Sequence, residues 1–378
     1  MKKTRILIVI SNMEFGGAQR QIVELVNNID TTNFEVHVCS LSNYVPLAGQ
    51  FNNGTQLHII HKKSKFDFSV VFKLIKLIKI YHFNVIHSYL FDAEIASRLA
   101  GKLSNTGIKV IGSERNANYK LKPIQKKAYL LTKNLVSKII ANSQSGADYN
   151  ATQTLQPKGK YEVVYNGVDT TRFIMRDKNI IRKALGIESK VKLIGMFASF
   201  KQQKNHPFLI TALEGLKIKG DEFKLLLVGD TLHGGLHGSD TYTDEIKRQI
   251  TNSNFSKDVI FLGNKENIEE IYPACDFTVL PSLFEGTPNV VLESMACGVP
   301  CIATNVSDNN KIIEHNKSGY IVELEDIESL STYMHNLLNN PRQLQQFSQN
   351  AREVMVEKFS SIKLAENMCK IYLSTANG

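Results

Sequence analysis

The sequence has no apolar run long enough to cross a bilayer, no low-complexity segment and no internal repeat at a short fixed period. Those absences argue against a membrane-spanning chain, long disorder and a solenoid. Two phosphate-binding fingerprints are also missing. The glycine turn after the first apolar run, "SNMEFGGAQR", lacks the G-x-G-x-x-G spacing, and no P-loop pattern occurs. Nicotinamide-dependent and P-loop chemistry are disfavoured accordingly. The five cysteines, Cys39, Cys275, Cys297, Cys301 and Cys369, are odd in number and scattered. Cys297 and Cys301 are spaced C-x3-C, but no second pair or spaced histidines complete a zinc site. Buried thiols in a reducing compartment are expected. The opening "MKKTRILIVISN" places Lys2, Lys3 and Arg5 before an apolar run too short for a signal-peptide core. It reads as a buried parallel strand, and the protein is expected to be cytoplasmic.

What is present suits two globular domains: 378 residues, 43% of them hydrophobic. The formal charge of +9 is unevenly spread. Residues 1–170 hold 22 Lys/Arg against 11 Asp/Glu, whereas the remainder holds 23 against 25. Nucleic acid, anionic lipid or a phosphorylated substrate would each account for a basic first half. Without an aromatic-rich basic motif or zinc finger, nucleic acid is the least supported.

Strand-like runs alternate with helical patterns: "RILIVI", "FEVHVCSL", "FNVIHSYL", "IKVIGSE" and "SKIIANS". After "EVVYNGVDTTRF" (162–173) the rhythm restarts with "VKLIGMFAS", "FKLLLVGD", "DVIFLGN", "FTVLPS" and "PCIATN". Helices are expected over 205–219, 243–251, 266–275 and 289–297, with 341–377 helical as well. The fold class is therefore α/β: two doubly wound parallel sheets, hinged near 165–175. The expected division is 1–168, 169–358 and a C-terminal helical segment, 359–378, packing back across the domains.

The stretch richest in chemistry is "PSLFEGTPNVVLESMACGVPCIAT", residues 281–304. A strand ends, "EGTP" turns, and a helix starts near Pro288 or Asn289 and stops at Gly298. Glu285 falls just before the helix and Glu293 about a turn inside it. The free N–H groups and partial positive charge of the helix N-terminus suit a diphosphate, with an acid on either side for sugar hydroxyls. An N-terminal carboxylate favoured by the helix dipole plus one buried, satisfied glutamate explains the same spacing. The Gly16–Gly17 pair is open in the same way, between a phosphate-approaching turn and a plain tight turn.

This stretch resembles the signature of the retaining GT-B-fold glycosyltransferases of the large "group 1" family, family four of the sequence classification. The match covers the Glu-x7-Glu pair, the Ala-Cys-Gly-x-Pro run and the following strand. "FGGAQRQIVELVNNI", "NVIHSYLFDAEIASRLAG", "VVYNGVDTTRF", "ASFKQQKNHPFLITAL" and "LLLVGD" are similar to the family's other segments in order, so the resemblance spans almost the whole chain. It implies two Rossmann-like domains facing a central cleft, an acceptor-binding first domain and a nucleotide-sugar-binding second one. It implies Glu285 on the donor sugar, Glu293 on the nucleotide ribose and Lys204 on phosphate. Gly286, Thr287, Pro288, Asn289 and Val290 would face the diphosphate and sugar, Ser199 would lie in the phosphate-binding entry, and Gly16 and Gly17 would approach the donor from the first domain.

The sequence departs from the family at three places. Ala198 and Ser199 stand where Gly-Arg often precedes the lysine, leaving Lys201 to supply charge. Arg115 in "VIGSERNAN" stands about where many members carry a histidine, with a catalytic role and a structural pairing with Glu114 both open. "TNVSDNNKIIE" replaces a Gly-Gly pair after the strand that follows Pro300. His87 in "VIHSYL" is either an acceptor-side residue or a satisfied strand-end histidine. His233 and His237 are read as loop residues without further metal ligands. No metal or other cofactor is expected, since no Asp-x-Asp falls near a strand end.

The implied reaction carries a sugar from a nucleotide-diphosphate sugar, with a UDP donor the family expectation, to an acceptor hydroxyl with retained configuration. Lysines 73, 76 and 79 in "FSVVFKLIKLIKIYHF", with more at 119–138, form either a solvated helix face or a surface for anionic membrane. The second option goes with a glycan or polyprenyl-diphosphate-linked acceptor and peripheral attachment to the inner face of the cell membrane. A soluble-acceptor transferase, a UDP-sugar epimerase and a non-catalytic nucleotide-sugar-binding subunit share the donor motifs.

Overall fold

A computed structural model describes residues 3–52, 54–64, 67–115, 120–231 and 239–378. The expectation for His233 and His237 lies outside the described residues. The chain forms two compact units, Met1–Gly167 together with Ser361–Gly378, and Val168–Ser360.

The first unit contains strands β1 (Thr4–Ile10), β2 (Phe34–Ser40), β3 (Gln56–Ile59), β4 (Val85–Tyr89), β5 (Lys109–Glu114), β6 (Lys138–Ala141) and β7 (Tyr161–Val163). They form one sheet in the order β3-β2-β1-β4-β5-β6-β7, with every pairing parallel. A parallel sheet is covered on both faces, so its central strand must be apolar throughout. β1 shows this: Ile6 to Ile10 are all fully buried. Alternation then sends Ile6, Ile8 and Ile10 to one face and Leu7 and Val9 to the other. The first face is covered by helix Gly17–Asn28 and by the C-terminal helix Ser361–Asn377, through Leu364, Met368 and Tyr372. Helices Ser69–Tyr81 and Phe91–Ser104 cover the second through Leu74, Ile78, Ala93 and Ala96.

The second unit contains β8 (Leu193–Phe197), β9 (Lys224–Val228), β10 (Val259–Gly263), β11 (Phe277–Leu280), β12 (Cys301–Thr304) and β13 (Gly319–Val322), ordered β10-β9-β8-β11-β12-β13. All of these pairs are parallel. The chain runs outward from β8 through β9 to β10, then returns to the other side of β8 as β11. Strand order therefore reverses between β8 and β11, which is where doubly wound sheets hold ligands. The start of this pair is fixed by a buried ion pair. Arg182 donates to Asp276 Oδ2 at 2.9 Å and to the carbonyls of Ala274, Ser189 and Val191, and Asp276 also accepts the Leu193 N–H.

The α/β class and the two Rossmann-like sheets agree with the sequence. Elements differ in detail. The helix expected over 266–275 is instead two 3-10 turns, Ile268–Glu270 and Tyr272–Ala274. Pro273 has no N–H to donate and its ring opposes a continuous α-helix. β3, β7 and β13 were not read from sequence. Each spans only three or four residues at a sheet edge.

The chain passes from the first unit to the second at Gly167–Val168, within 165–175, and returns at Ser360–Ser361. Gly167 is held in the first unit by both ends of the Gln21 amide, each bond 2.8 Å. Val168 already belongs to the second unit, where its N–H bonds the Phe359 carbonyl. The Arg352 guanidinium then fixes the carbonyls of Thr170, Phe173 and Ala296.

Candidate active site

Two loops meet at the reversal point of the second unit: the one leaving β8 through Ser199 to Lys204, and the one leaving β11 through Glu285 to Asn289. They are joined residue by residue. The Gln203 carbonyl accepts from Leu283 N–H at 2.8 Å, and Gln203 Nε2 donates to the Phe284 carbonyl at 2.7 Å. Beside this pair, Lys204 Nζ donates to Glu285 Oε1 at 2.6 Å, with the two side chains only 12% and 10% exposed. A glycine at 229 lets the first loop sit where it does. Gly229 has φ +137°, and a Cβ there would stand 2.1 Å from the Ala198 carbonyl oxygen and 3.2 Å from Ser199 N.

A second cation lies at the same place. Burial and then the neighbouring Lys204 hold the Lys201 ammonium below its ordinary value, while Glu285 pulls the other way. Lys201 is thus a second cation within electrostatic reach of Lys204 and Glu285. Behind the loop, burial and then Lys204 push His206 down to about 3. Its neutral ring stacks on Phe200 at 4.7 Å.

Helix Asn289–Ala296 begins at Pro288 with no side-chain cap. Proline has no side-chain group to cap the helix, and the helix end carries partial positive charge. Gly286, Thr287 and Pro288 are buried, while Ser199, Asn289 and Val290 are partly exposed. Glu293 lies in the second turn, buried, and accepts a 2.8 Å bond from the Tyr272 hydroxyl. Tyr272 in turn stacks on Phe197, the last residue of β8, with centroids 3.8 Å apart. The second acid is thereby tied to the same strand that launches the lysine loop.

The structure thus brings Lys204, Glu285, Lys201 and the 286–290 turn together, with Glu293 one turn along. Gln203 and Tyr272, which position the two acids, were missed. Gln203 had a signal, since it lies inside the polar run "KQQKNH". Tyr272 sits in an apolar stretch and had none.

The other candidates lie in the first unit. Gly16 is extended (φ −149°) and immediately precedes helix Gly17–Asn28, which has no side-chain cap. Arg115 follows β5. Its guanidinium donates to Asn166 Oδ1 at 2.5 Å and lies over the Tyr89 ring at 5.5 Å. Burial lowers its pKa. Glu114 Oε2 accepts from the Asn150 amide. His87 is fully buried in β4. One ring nitrogen bonds the Tyr372 hydroxyl and the other Ser113 Oγ, both at 2.8 Å. Burial and then Arg115 push it down to about 3. Of the two readings for His87, the geometry is that of a satisfied strand histidine, neutral and engaged at both nitrogens.

All five cysteines are free, and four are buried. Burial pushes the Cys39, Cys297 and Cys301 thiols up to about 12, which disfavours the thiolate. Among the described residues, no group of three or more His, Cys, Asp or Glu is placed to hold a metal ion.

Two family models match consecutive parts of the chain: Glycosyltransferase Family 4 over residues 15–172 and Glycosyl transferases group 1 over residues 177–354. The chain is a GT-B-fold glycosyltransferase related to these two families. Among curated relatives, it is 28% identical to the N-acetyl-alpha-D-glucosaminyl L-malate synthase of Bacillus anthracis, over 77% of this chain and 73% of that one. It is 23% identical to the UDP-Gal:alpha-D-GlcNAc-diphosphoundecaprenol alpha-1,3-galactosyltransferase of Escherichia coli, over 99% of this chain and 98% of that one. The crystal structure of HepE from Anabaena in complex with UDP superposes with a TM-score of 0.85 at 18% identity, covering 98% of this chain and all of that one. Both units of this glycosyltransferase therefore fall within a known architecture.

Removing one partner of the Lys204–Glu285 pair should cost more than removing both. Lys204→Ala leaves a nearly buried carboxylate without its cation and is expected to lower stability by about 3 kcal/mol. Adding Glu285→Gln should recover part of that loss. Urea unfolding of wild type, both single variants and the double variant measures the coupling. Additive losses would contradict it.

Proposed function

We propose that this protein is a retaining glycosyltransferase that moves a sugar from a nucleotide-diphosphate sugar, with uridine as the base, to a hydroxyl of a lipid-linked glycan in cell-surface polysaccharide synthesis. The observation that carries the donor half is the Lys204–Glu285 pair, set beside Lys201 and the N-terminus of helix Asn289–Ala296 at the reversal point of a parallel sheet. Two cations and a row of amides fit a diphosphate. A uridine donor is supported by the UDP, and the UDP with glucose, bound in the HepE structures. A lipid-linked acceptor is supported by the diphosphoundecaprenol substrate of the Escherichia coli relative.

In the proposed mechanism the donor phosphates take Lys204 from Glu285. The freed Glu285 carboxylate accepts hydroxyls of the donor sugar, and Glu293, held by Tyr272, accepts the ribose hydroxyls. The amides of Gly286 to Val290 meet the charge that grows on the leaving diphosphate, where fixed dipoles are most effective. The bond from the anomeric carbon to the diphosphate oxygen breaks, and the acceptor oxygen bonds that carbon from the same face. The acceptor proton passes to the leaving phosphate, so configuration is kept without a carboxylate nucleophile. No metal takes part. Ser199 is assigned to the phosphate entry of the second unit; in the first unit, Gly16 and Gly17 are assigned to the donor phosphates and Arg115 to charge developing on the donor.

The acceptor side is assigned to an anionic membrane surface. On helix Ser69–Tyr81, Lys73, Lys76 and Lys79 are exposed beside Phe72 and Ile80, with Phe68 protruding just before it. A second exposed group joins Lys122 and Lys127 to Ile124, Leu130 and Leu131. Apolar side chains for the acyl boundary and lysines for anionic headgroups are the two ingredients of surface docking, each lysine contributing about 1 kcal/mol.

Thermal unfolding with UDP, GDP, ADP and CMP tests the donor reading, because a ligand of the folded state raises the melting temperature. UDP is expected to give the largest rise and Glu293→Ala to lose most of it. No rise with any nucleotide would contradict the reading. Co-sedimentation with phosphatidylglycerol liposomes at low salt tests the docking surface. Binding is expected to fall when Lys73, Lys76 and Lys79 become glutamate, and a wild type that ignores the liposomes would overturn it.

A further inference from the structure

A cavity of about 340 Å³ lies in the second unit between the C-terminal ends of β12 and β13 and the start of helix Ile327–Asn339. It shares no residue with the Lys204–Glu285 site. Its size falls within the roughly 300–1,000 Å³ usual for small-molecule sites. Ile313, Ile321 and Val322 give it an apolar wall, and Tyr333 lines it while stacked on Tyr320, the rings 4.3 Å apart and within 6° of parallel. The rest of the lining is polar. Asn305 Nδ2 donates to Glu323 Oε1 at 2.7 Å, Asp326 Oδ1 accepts from Ser329 N–H at 3.0 Å, and Asn310 is exposed at the rim. His315 Nδ1 accepts from Ile321 N–H at 3.1 Å, which leaves Nε2 as the protonated nitrogen and a donor.

This chemistry differs in kind from that of the donor site. Among the described residues lining it there is no Lys or Arg, and two carboxylates are present. An anion, including a phosphate, is therefore unfavoured. Carboxylate and amide acceptors, amide and imidazole donors and a tyrosine ring instead match the ring hydroxyls and apolar C–H face of an uncharged sugar. The turns around the cavity also carry three non-glycine residues with positive φ, Ser307, Asn316 and Glu325. Such backbone persists only where the surroundings enforce it, and it clusters at functional sites.

We propose that this cavity is a second saccharide site, which holds a neutral sugar residue of a glycan away from the donor site. The choice of a saccharide over another neutral polyol rests on the glycosyltransferase reading.

Saturation-transfer difference NMR on the full chain tests it, with methyl α-glucoside, methyl α-galactoside and N-acetylglucosamine as probes. Each is measured with and without saturating UDP, and the UDP thermal shift is read on the same protein. At least one saccharide is expected to bind in the presence of UDP. Its signal should fall at least fivefold in Tyr333→Ala and in Asn310→Lys, with the UDP shift unchanged in both. Asn310 is a rim position, so the second variant keeps the test valid if Tyr333→Ala unfolds. No saccharide signal, a signal abolished by UDP, or one indifferent to Asn310→Lys would overturn the second site while the UDP shift still stood. Loss of the UDP shift in wild type would count against the donor reading instead.

Discussion

The donor site of the second unit is organised around one contact, the Lys204–Glu285 ion pair. Two side chains nearly removed from water hold each other at 2.6 Å across the reversal point of the sheet. Neither charge could stay there alone without a large desolvation cost. The surrounding structure brings them together: β8 and β11 run side by side, Gln203 ties the two loops twice, and Gly229 leaves room for the turn out of β8. In the free protein each charge is satisfied by the other. In the proposed mechanism a donor diphosphate takes Lys204 and releases Glu285 for the sugar, which would couple phosphate binding to sugar recognition.

Much of this was legible in the sequence, for reasons that differ by element. β1 and β8 stood out because a central parallel strand must be apolar on both faces. β3, β7 and β13 did not, because three or four residues at a sheet edge carry too little pattern. The 266–275 segment has helix-like apolar spacing, yet Pro273 breaks it into two 3-10 turns. The spacing of Glu285 and Glu293 alone left a structural and a functional reading open, and the resemblance tipped that balance. The contacts that position them were beyond reach. Tyr272 lies twenty-one residues before Glu293, and nothing local marks it as a carboxylate's partner.

The same separation explains the first unit. His87 reads as a strand-end histidine near a functional edge, but both its nitrogens are taken, one by Tyr372 from a helix 285 residues later. The folded chain places the last helix in the first unit's core. The C-terminal segment closes that unit, and the buried His87–Tyr372 bond is one of its fastenings. Charge is also sorted by site. The lysines of the second unit's reversal point suit phosphate, whereas the cavity beyond β12 has carboxylates and amides suited to neutral hydroxyls.

The most direct test of the central claim is calorimetric titration of wild type and Lys204→Met with UDP and with UMP. If Lys204 exchanges Glu285 for the second phosphate, wild type should bind UDP at least tenfold more tightly than UMP, a difference of about 1.4 kcal/mol or more. Lys204→Met should erase most of that preference while leaving UMP affinity largely intact. Equal affinity of wild type for the two nucleotides, or a preference that survives in the variant, would contradict the account.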